Sequence, residues 1–413
     1  MTNRASLRED LMATQTDTVP PARALRILFV SPYDVFPVWT GGRIRIVALA
    51  RALAQLGHEV TILTPWHPRQ KPELYRAEPF RVRQVPYPFF VTFLLTDRPF
   101  PFLHLMSFHP GYRWAVRPLL QDYDIIQFEH ASFAGLLSAV PSRALIGYDA
   151  HNVEFDYLRH ECHSPRIADM VGRRMRRLES ELVRKSDCVF PVSALDQQRL
   201  TSLYGLPPEK CTVAPNGIVS ARQAAGDATA MNARFPALTR FRTRALFSGS
   251  NADHNRRALT FLLKEIAPVA PETGFVIHGT CAIPFEHTVS LPNVFFDRDL
   301  DCQSFADYAV PGTIGLNLVE TGGGTNLKLL QYLSHGLPVL STPFGLRGYD
   351  ELARHVRVEE RSAFARALAD GLFPAPPSPA SLMDRFSWRR IAAGMAEAYL
   401  RRLAAHDEVR SPV

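Results

Sequence analysis

One stretch of this chain, Thr313 to Ser334, constrains the fold more than any other. Thr313 to Val319 is a short, continuously apolar run, as a parallel strand buried on both faces requires. Leu327 to Ser334 reads as a helix. Between them lies Glu320-Thr321-Gly322-Gly323-Gly324-Thr325-Asn326. A strand that passes into a helix through a short loop is the repeating unit of a doubly wound α/β sheet. The three glycines let the backbone approach a ligand closely, because no side chain intervenes. Thr325 is the expected N-cap, and the free N–H groups of the first helical turn suit an anion such as a diphosphate. Lys328 adds a positive charge one turn in. The plainer alternative is a flexible loop before a surface helix.

The same unit recurs along the chain. Arg26 to Ser31 reads as a buried strand, followed by a loop ending in Gly41-Gly42. An amphipathic helix from Ile44 to Leu56 is closed by Gly57, and His58 to Leu63 is the next strand. Further strands are expected at Ile125–Phe128, Ala144–Tyr148 and Cys188–Val192. From Asn216 to Arg240 the pattern breaks, with an Asn216-Gly217 turn signal and an Ala-rich run from Ala221 to Ala233. It resumes with a strand at Ala245–Ser250, a helix from about Asn255 to Ile266, and strands at Phe275–Gly279, Asn293–Phe296, Thr313–Val319 and Pro338–Ser341. A Pro-rich stretch at 374–380 precedes a last amphipathic helix, Trp388 to Leu403. The 413 residues thus divide into a disordered arm (1–24), a Rossmann-like domain (25–215), a second one (216–385) and a helix (386–404) that packs back on the first.

Composition narrows the partners. A net charge of +7 favours anionic ones: a nucleotide, a phospholipid surface or nucleic acid. The charge is diffuse apart from Arg173, Arg174, Arg176 and Arg177, and no aromatic-and-basic signature accompanies that cluster, so nucleic acid is disfavoured. The cluster reads first as a solvated helix face, and second as a contact for an acidic partner or a membrane. The five cysteines are scattered and never spaced as C-x-x-C, which argues against a disulfide framework or a zinc site and fits a reducing cytoplasm. Residues 1–24 lack the apolar core of a signal peptide, and no apolar run reaches the ~18–20 residues of a membrane span. A cytoplasmic location follows, with a peripheral contact at the inner face of the membrane.

Several polar groups fall at strand ends, where ligands bind in open α/β sheets. Asp149-Ala150-His151-Asn152-Val153-Glu154 follows one strand, and Glu129-His130 follows another. A structural histidine is the competing reading of His151. Gly41-Gly42-Arg43, at a helix start, reads as an acceptor or phosphate loop, or as a plain capping turn. A dinucleotide site is disfavoured there: about ten residues separate Val30 from Gly41, and Leu63-Thr64-Pro65 supplies no ribose-binding acid. Ser248-Gly249-Ser250-Asn251 offers backbone donors to a phosphate, with Arg256 and Arg257 behind. The aromatic-rich segment Val85–Tyr112 reads as a core loop, an acceptor wall or a membrane-touching patch.

Taken in order, these motifs resemble the GT-B-fold nucleotide-sugar glycosyltransferases. The likeness is to the large retaining group 1 (family four) type, typified by bacterial sucrose- and mannosyl-transferring enzymes. The residues that carry it are Gly41-Gly42-Arg43, Leu56-Gly57-His58-Glu59-Val60-Thr61, Asp149-Ala150-His151-Asn152-Val153-Glu154, Val192-Ser193 and Pro215-Asn216-Gly217. Gly322-Gly323-Gly324-Thr325-Asn326-Leu327-Lys328, Gly336-Leu337-Pro338-Val339-Leu340-Ser341-Thr342-Pro343, Gly345-Leu346-Arg347-Gly348 and Phe386-Ser387-Trp388 continue it, over roughly residues 25–403.

The resemblance implies two Rossmann-like domains facing a cleft. A nucleotide-sugar substrate would sit mainly on the second domain and a carbohydrate or lipid-linked acceptor mainly on the first. Transfer would proceed with retention and without a metal or other cofactor. It matches His151 to the family's histidine near the reacting sugar, and Glu320 is the candidate to substitute for the sugar-contacting carboxylate missing from its usual place. The expected donor contacts are Ser250, Gly322, Gly323, Gly324, Thr325, Asn326, Lys328 and Gln331, with Glu129, Asp149 and Asn152 lining the cleft. The chain departs from the family twice. Gly323 and Gln331 stand where many members carry a Glu, seven residues, Glu pair. Ser248-Gly249-Ser250 replaces the usual Gly-Arg…Lys-Gly diphosphate pair, leaving Lys328, Arg347 or Arg256 to supply charge. The reading is a hexosyl-type transferase using a UDP- or GDP-sugar in cell-envelope or polysaccharide assembly. The alternatives are a catalytically degenerate partner protein and an epimerase of the same shape.

Overall fold

The structure is a computed structural model that describes residues 23–36, 38, 40–66, 75–86, 103–161, 165–221, 229–297, 305–310 and 312–410. It contains two six-stranded sheets in which every pairing is parallel. The first is built from β1 (Arg26–Val30), β2 (Glu59–Trp66), β3 (Arg81–Pro86), β4 (Ile125–Phe128), β5 (Leu145–Ala150) and β6 (Cys188–Pro191), in the order β3-β2-β1-β4-β5-β6. The second is built from β7 (Thr243–Ser248), β8 (Thr273–His278), β9 (Val294–Asp297), β10 (Thr313–Asn317), β11 (Val339–Ser341) and β12 (Arg357–Val358). Its order, β9-β8-β7-β10-β11-β12, repeats the first. Both are the doubly wound Rossmann order, with the switch between the first and fourth strands of each set.

The apolar runs account for this layering. Along β1, Ile27 and Phe29 face one core while Leu28 and Val30 face another, as the two-residue period of a strand dictates. In the second sheet, Ala245 and Phe247 face one core and Leu246 the other. Each sheet is therefore buried on both faces. That explains why its strands carry continuous apolar runs rather than alternating ones.

Four helices position the site: α1 (Gly41–Gln55), α2 (Asp253–Phe261), α3 (Leu327–Ser334) and α4 (Trp388–Arg410). Helix α4 follows the second sheet in sequence but belongs to the first core. Trp388, Ile391, Ala392, Met395, Ala396, Tyr399 and Leu403 pack with Ile27, Phe29, Val47 and Phe190. Tyr399 donates from its hydroxyl to Gln127 Oε1 at 2.7 Å, beneath Gly147, where any Cβ would overlap the Tyr399 ring and hydroxyl. The chain crosses between the halves twice, and the crossings are paired. Ile218 N donates to Phe386 O at 2.7 Å, and Trp388 N donates to Ile218 O at 3.2 Å.

Several expected boundaries move. Helix α1 begins at Gly41, not Ile44, and β2 runs on to Trp66. The strands β3 and β12 were not anticipated. Both lie at sheet edges, where exposed or intermediate positions such as Arg81, Arg83 and Arg357 break the apolar run. Residues 1–22 of the expected arm, 87–102 of the aromatic-rich segment and 222–228 of the expected linker lie outside the described residues. The end of the linker run, Thr229–Arg234, is helical. Arg23, placed in the arm, pairs with Asp407 on α4 at 3.2 Å. Among the described residues no helix is long and apolar enough to cross a membrane.

Candidate active site between the two sheets

The carboxyl ends of the two sheets meet where the loop after β5 touches the loop after β10. His151, just past the end of β5, is almost fully buried. Its Nε2 lies 3.0 Å from Glu129 Oε2 and 3.2 Å from Asp149 Oδ2. Glu129 follows β4, and its Oε1 accepts from Gln127 Nε2 at 2.7 Å. Asp149 is held from the other side by Arg45 on α1, whose Nε and Nη2 donate to its two oxygens at 2.8 and 2.6 Å. The cluster thus sets two buried carboxylates against two cationic side chains, the arrangement that makes buried charge tolerable.

Burial alone would lower the His151 pKa. Hydrogen bonds that His151 donates to Asp149 and Glu129, and the negative charge of those carboxylates, override it and raise the pKa to about 9. Asp149 shows the mirror case: burial pushes its carboxyl up, but Arg45 and His151 bring it below the usual range. Glu129, more weakly compensated, is pushed up, chiefly by burial. His151 is accordingly an imidazolium at neutral pH, suited to hold negative charge and to position a ligand rather than to act as a base.

Glu129, Asp149 and His151 are also the one group of three among the described residues whose ligand atoms lie within 4.8 Å of one another, the spacing a metal ion would need. The guanidinium already engages both Asp149 oxygens, however, and a divalent cation beside it would meet a buried like charge. An ion-pair network accounts for the group better than a metal centre does.

The expected glycine loops behave differently from expectation. Gly42 leaves the space in which Tyr33 and His151 sit: a Cβ there would lie 2.5 Å from the Tyr33 hydroxyl and 3.3 Å from His151 Nδ1. Gly41 abuts Leu327 at the start of α3. The glycine loop after β10 lies on the first half. A Cβ on Gly323 would come within 2.6 Å of Asn152 Oδ1, and one on Gly324 (φ 57°) would overlap the His151 carbonyl oxygen. So two of the three glycines serve close approach of the opposite domain. Gly322 (φ 130°) faces more open space, near His254.

Thr325 is not the N-cap of α3; Asn326 is, and its side chain makes no cap hydrogen bond. Thr325 Oγ1 instead accepts from Asn216 Nδ2 at 2.9 Å and bonds the Tyr349 hydroxyl at 3.0 Å. The start of α3 is left without side-chain capping, which suits it to an anionic ligand.

Lys328 is nearly buried under this loop. Its Nζ donates to Asn255 Oδ1 at 2.7 Å and lies 4.5 Å from the centre of the Phe247 ring. Burial lowers its pKa to about 8. Asn255 Nδ2 donates in turn to Ser250 O at 3.0 Å, so the two expected donor segments are brought together by Asn255. The other basic candidates already have protein partners. Arg347 donates to Gly324 O, and Arg256 pairs with Asp253 and Asn251. Gln331 is half-buried one turn beyond Lys328. Arg43 is half-buried at the start of α1, and burial lowers its pKa. Glu320 does not join the carboxylates around His151; it pairs with Arg361 at 2.7 Å.

Behind the His151 loop lies a second acidic cluster. Glu179 is fully buried and accepts from Glu154 N, Phe155 N and the hydroxyls of Tyr148 and Tyr204. Burial, with the nearby Glu154 charge, raises its pKa to about 7. The Glu154 carboxylate faces His130 Nε2 at 2.8 Å. These bonds tie down the backbone just after His151 and Asn152.

Sequence reasoning missed Arg45, Tyr33 and Asn255, and it read Asn216 as a turn and a motif position without a partner for its side chain. The signal for Arg45 was present: it shares its helix face with Leu49, Ala52 and Leu53, all buried, so a charge there must be internally paired.

Comparison with known proteins fits this geometry. Residues 39–222 match the family description Glycosyltransferase Family 4. No curated protein matches the chain in sequence. Among solved structures, sucrose-phosphate synthase from Thermosynechococcus elongatus is 18% identical, covering 93% of this chain and 100% of that one, with a TM-score of 0.72. HepE of Anabaena, solved with UDP-glucose, is 15% identical over 90% and 98%, with a TM-score of 0.66. WaaG, a glycosyltransferase involved in lipopolysaccharide biosynthesis, is 17% identical over 94% and 100%, with a TM-score of 0.56. The twin parallel sheets and the likeness to these structures over nine-tenths of the chain show that it has the GT-B fold, and residues 39–222, somewhat less than half of it, resemble Glycosyltransferase Family 4.

Proposed function

We propose that the protein moves a sugar from a UDP- or GDP-sugar to a carbohydrate or lipid-linked acceptor, with retention at the anomeric carbon and without a metal. The observation that carries this reading is the seating of the glycine loop, at the start of α3, directly on the His151–Asn152 loop. A donor diphosphate would lie against the uncapped start of α3 and the Gly249–Ser250 turn, with Lys328 supplying charge. The His151 imidazolium adds positive potential beside the sugar. Its Nε2 is committed to Glu129 and Asp149, which fixes the ring and leaves it a positioning and electrostatic role. UDP-glucose in the HepE complex supports a uridine donor.

Asn152 takes the space of the carboxylate that many family members carry at the position of Gly323. This favours, as second reading, a protein that binds the nucleotide sugar without transferring it. Cell-envelope or polysaccharide assembly in the cytoplasm fits the basic first half. Trp114, 81% exposed between Arg113 and Arg117, marks a surface suited to an anionic membrane.

A thermal-shift panel of UDP, GDP, ADP and their sugar conjugates, with and without EDTA, tests the donor. One nucleotide diphosphate should raise the midpoint, equally in both conditions. No shift with any of them overturns the reading. Binding without turnover of the matching nucleotide sugar, across a panel of acceptors, selects the non-transferring alternative. Sedimentation with anionic vesicles tests the membrane contact, which fails if Trp114→Ala binds as the native chain does.

A further inference from the structure

Arg45 is among the most heavily committed side chains of the described residues. A guanidinium has five N–H donors, and all five of its N–H groups are used here. Two go to Asp149. The other three go to Ala214 O at 2.9 Å, Pro215 O at 3.0 Å and Asn216 Oδ1 at 3.3 Å. Those three acceptors belong to the first crossing between the halves, which is pinned to the second crossing through Ile218. Asn216 continues the chain of contacts to Thr325, in the glycine loop. Asp149 continues it the other way, to His151. One rigid, planar group therefore touches both the connector between the halves and the carboxylate that seats His151.

We infer that Arg45 is a positioning residue that joins the seating of the inter-domain connector and the seating of His151 into one event. The guanidinium fork is planar, so its Asp149 edge cannot turn without moving the edge that holds residues 214–216. A shift of the connector, as the halves open or close, then rotates the Asp149 carboxylate against His151. Loss of the His151 charge, conversely, leaves Glu129 and Asp149 competing for a single cation and pulls Arg45 off the connector. The purpose of this coupling rests on the proposed transfer site: His151 would reach its working position only when the second half is seated.

The test is a double-mutant cycle read by amide hydrogen exchange, with no nucleotide present. The peptide followed is residues 213–218, in the native chain, His151→Asn, Arg45→Lys and the double variant. Lysine keeps the buried charge but lacks the fork. His151→Asn should raise connector exchange about tenfold in the native background and less than about twofold in the Arg45→Lys background. An unchanged connector in His151→Asn, or an equal rise in both backgrounds, overturns the inference. Should Arg45→Lys fail to fold, Arg45→Met with Asp149→Asn, which removes both buried charges together, supplies the second background. Failure here leaves the donor reading untouched, because no sugar nucleotide enters the measurement.

Discussion

The His151 cluster makes the first half sensitive to alkali, by an amount that can be worked out. Its pKa rises from 6.5 to about 9 on folding, because Asp149 and Glu129 overcome the cost of burial. A group whose folded pKa lies above its unfolded value contributes stability that is complete below the unfolded pKa. That contribution is lost as pH climbs through the folded one. At about 1.4 kcal/mol per pH unit, the contribution is about 3 kcal/mol, complete near pH 6.5 and gone above about pH 9. The Tyr33 phenol, kept neutral by burial, shares the space at Gly42 with the ring, and Arg45 acts on it through Asp149. The assay is urea unfolding followed by tryptophan fluorescence. Trp39, Trp66 and Trp114 belong to the first half, and Trp388 begins the helix that returns to it, so the signal reports on that half. The stability difference between the native chain and His151→Asn should shrink by about 3 kcal/mol between pH 6.5 and 9.5. A difference that stays flat over this range would refute the argument and imply that His151 is neutral in the folded protein.

Other consequences are open to direct measurement. Lys328→Met keeps the packing on Phe247 but removes a buried charge, and should weaken nucleotide-diphosphate binding by about 10- to 100-fold in calorimetry. In the native chain the same affinity should fall as pH rises through about 8, where Lys328 loses its proton; a pH-independent affinity would show that another cation neutralises the diphosphate. Gly324→Ala meets both a left-handed backbone, costing about 1–2 kcal/mol, and the His151 carbonyl. It should lift the glycine loop and raise hydrogen exchange over residues 321–326 while the strands of both sheets stay protected. Gly147→Ala forces a methyl into the Tyr399 ring and should cost about 1–3 kcal/mol in urea unfolding.

The buried framework was legible in the sequence because long apolar runs admit few other readings. Ile125–Phe128 and Leu327–Ser334 fall where the pattern puts them, and Trp388 starts the last helix as expected. The edge strands β3 and β12 were not legible, since one is half-polar and the other only two residues long. Residues next to strand ends were expected to line one cleft, and of these His151, Glu129 and Asp149 do lie together. What escaped was tertiary pairing. Thr325 has the chemistry of an N-cap, but a partner 109 residues away, Asn216, takes its hydroxyl. Glu320 sits at a strand end like the others, but Arg361 draws it aside. The glycines were read as making room for a ligand, when the neighbour that needs room at Gly323 and Gly324 is the other half of the protein. Local sequence specifies which backbone conformations are open, and only the assembled fold specifies who occupies the space.

The return of helix α4 to the first core also bears on how the chain is made. The first sheet is complete once residue 191 has been synthesised, but one of its faces is closed by side chains between Trp388 and Leu403. On the ribosome that face, with Phe29, Phe190 and Val47, has to wait for the whole second half to emerge. The second half, whose strands run from residue 243 to residue 358, has no such debt and can fold as it appears. The N-terminal half of this protein is therefore the last to be finished, and during that interval its unclosed apolar face is the surface most in need of chaperone cover.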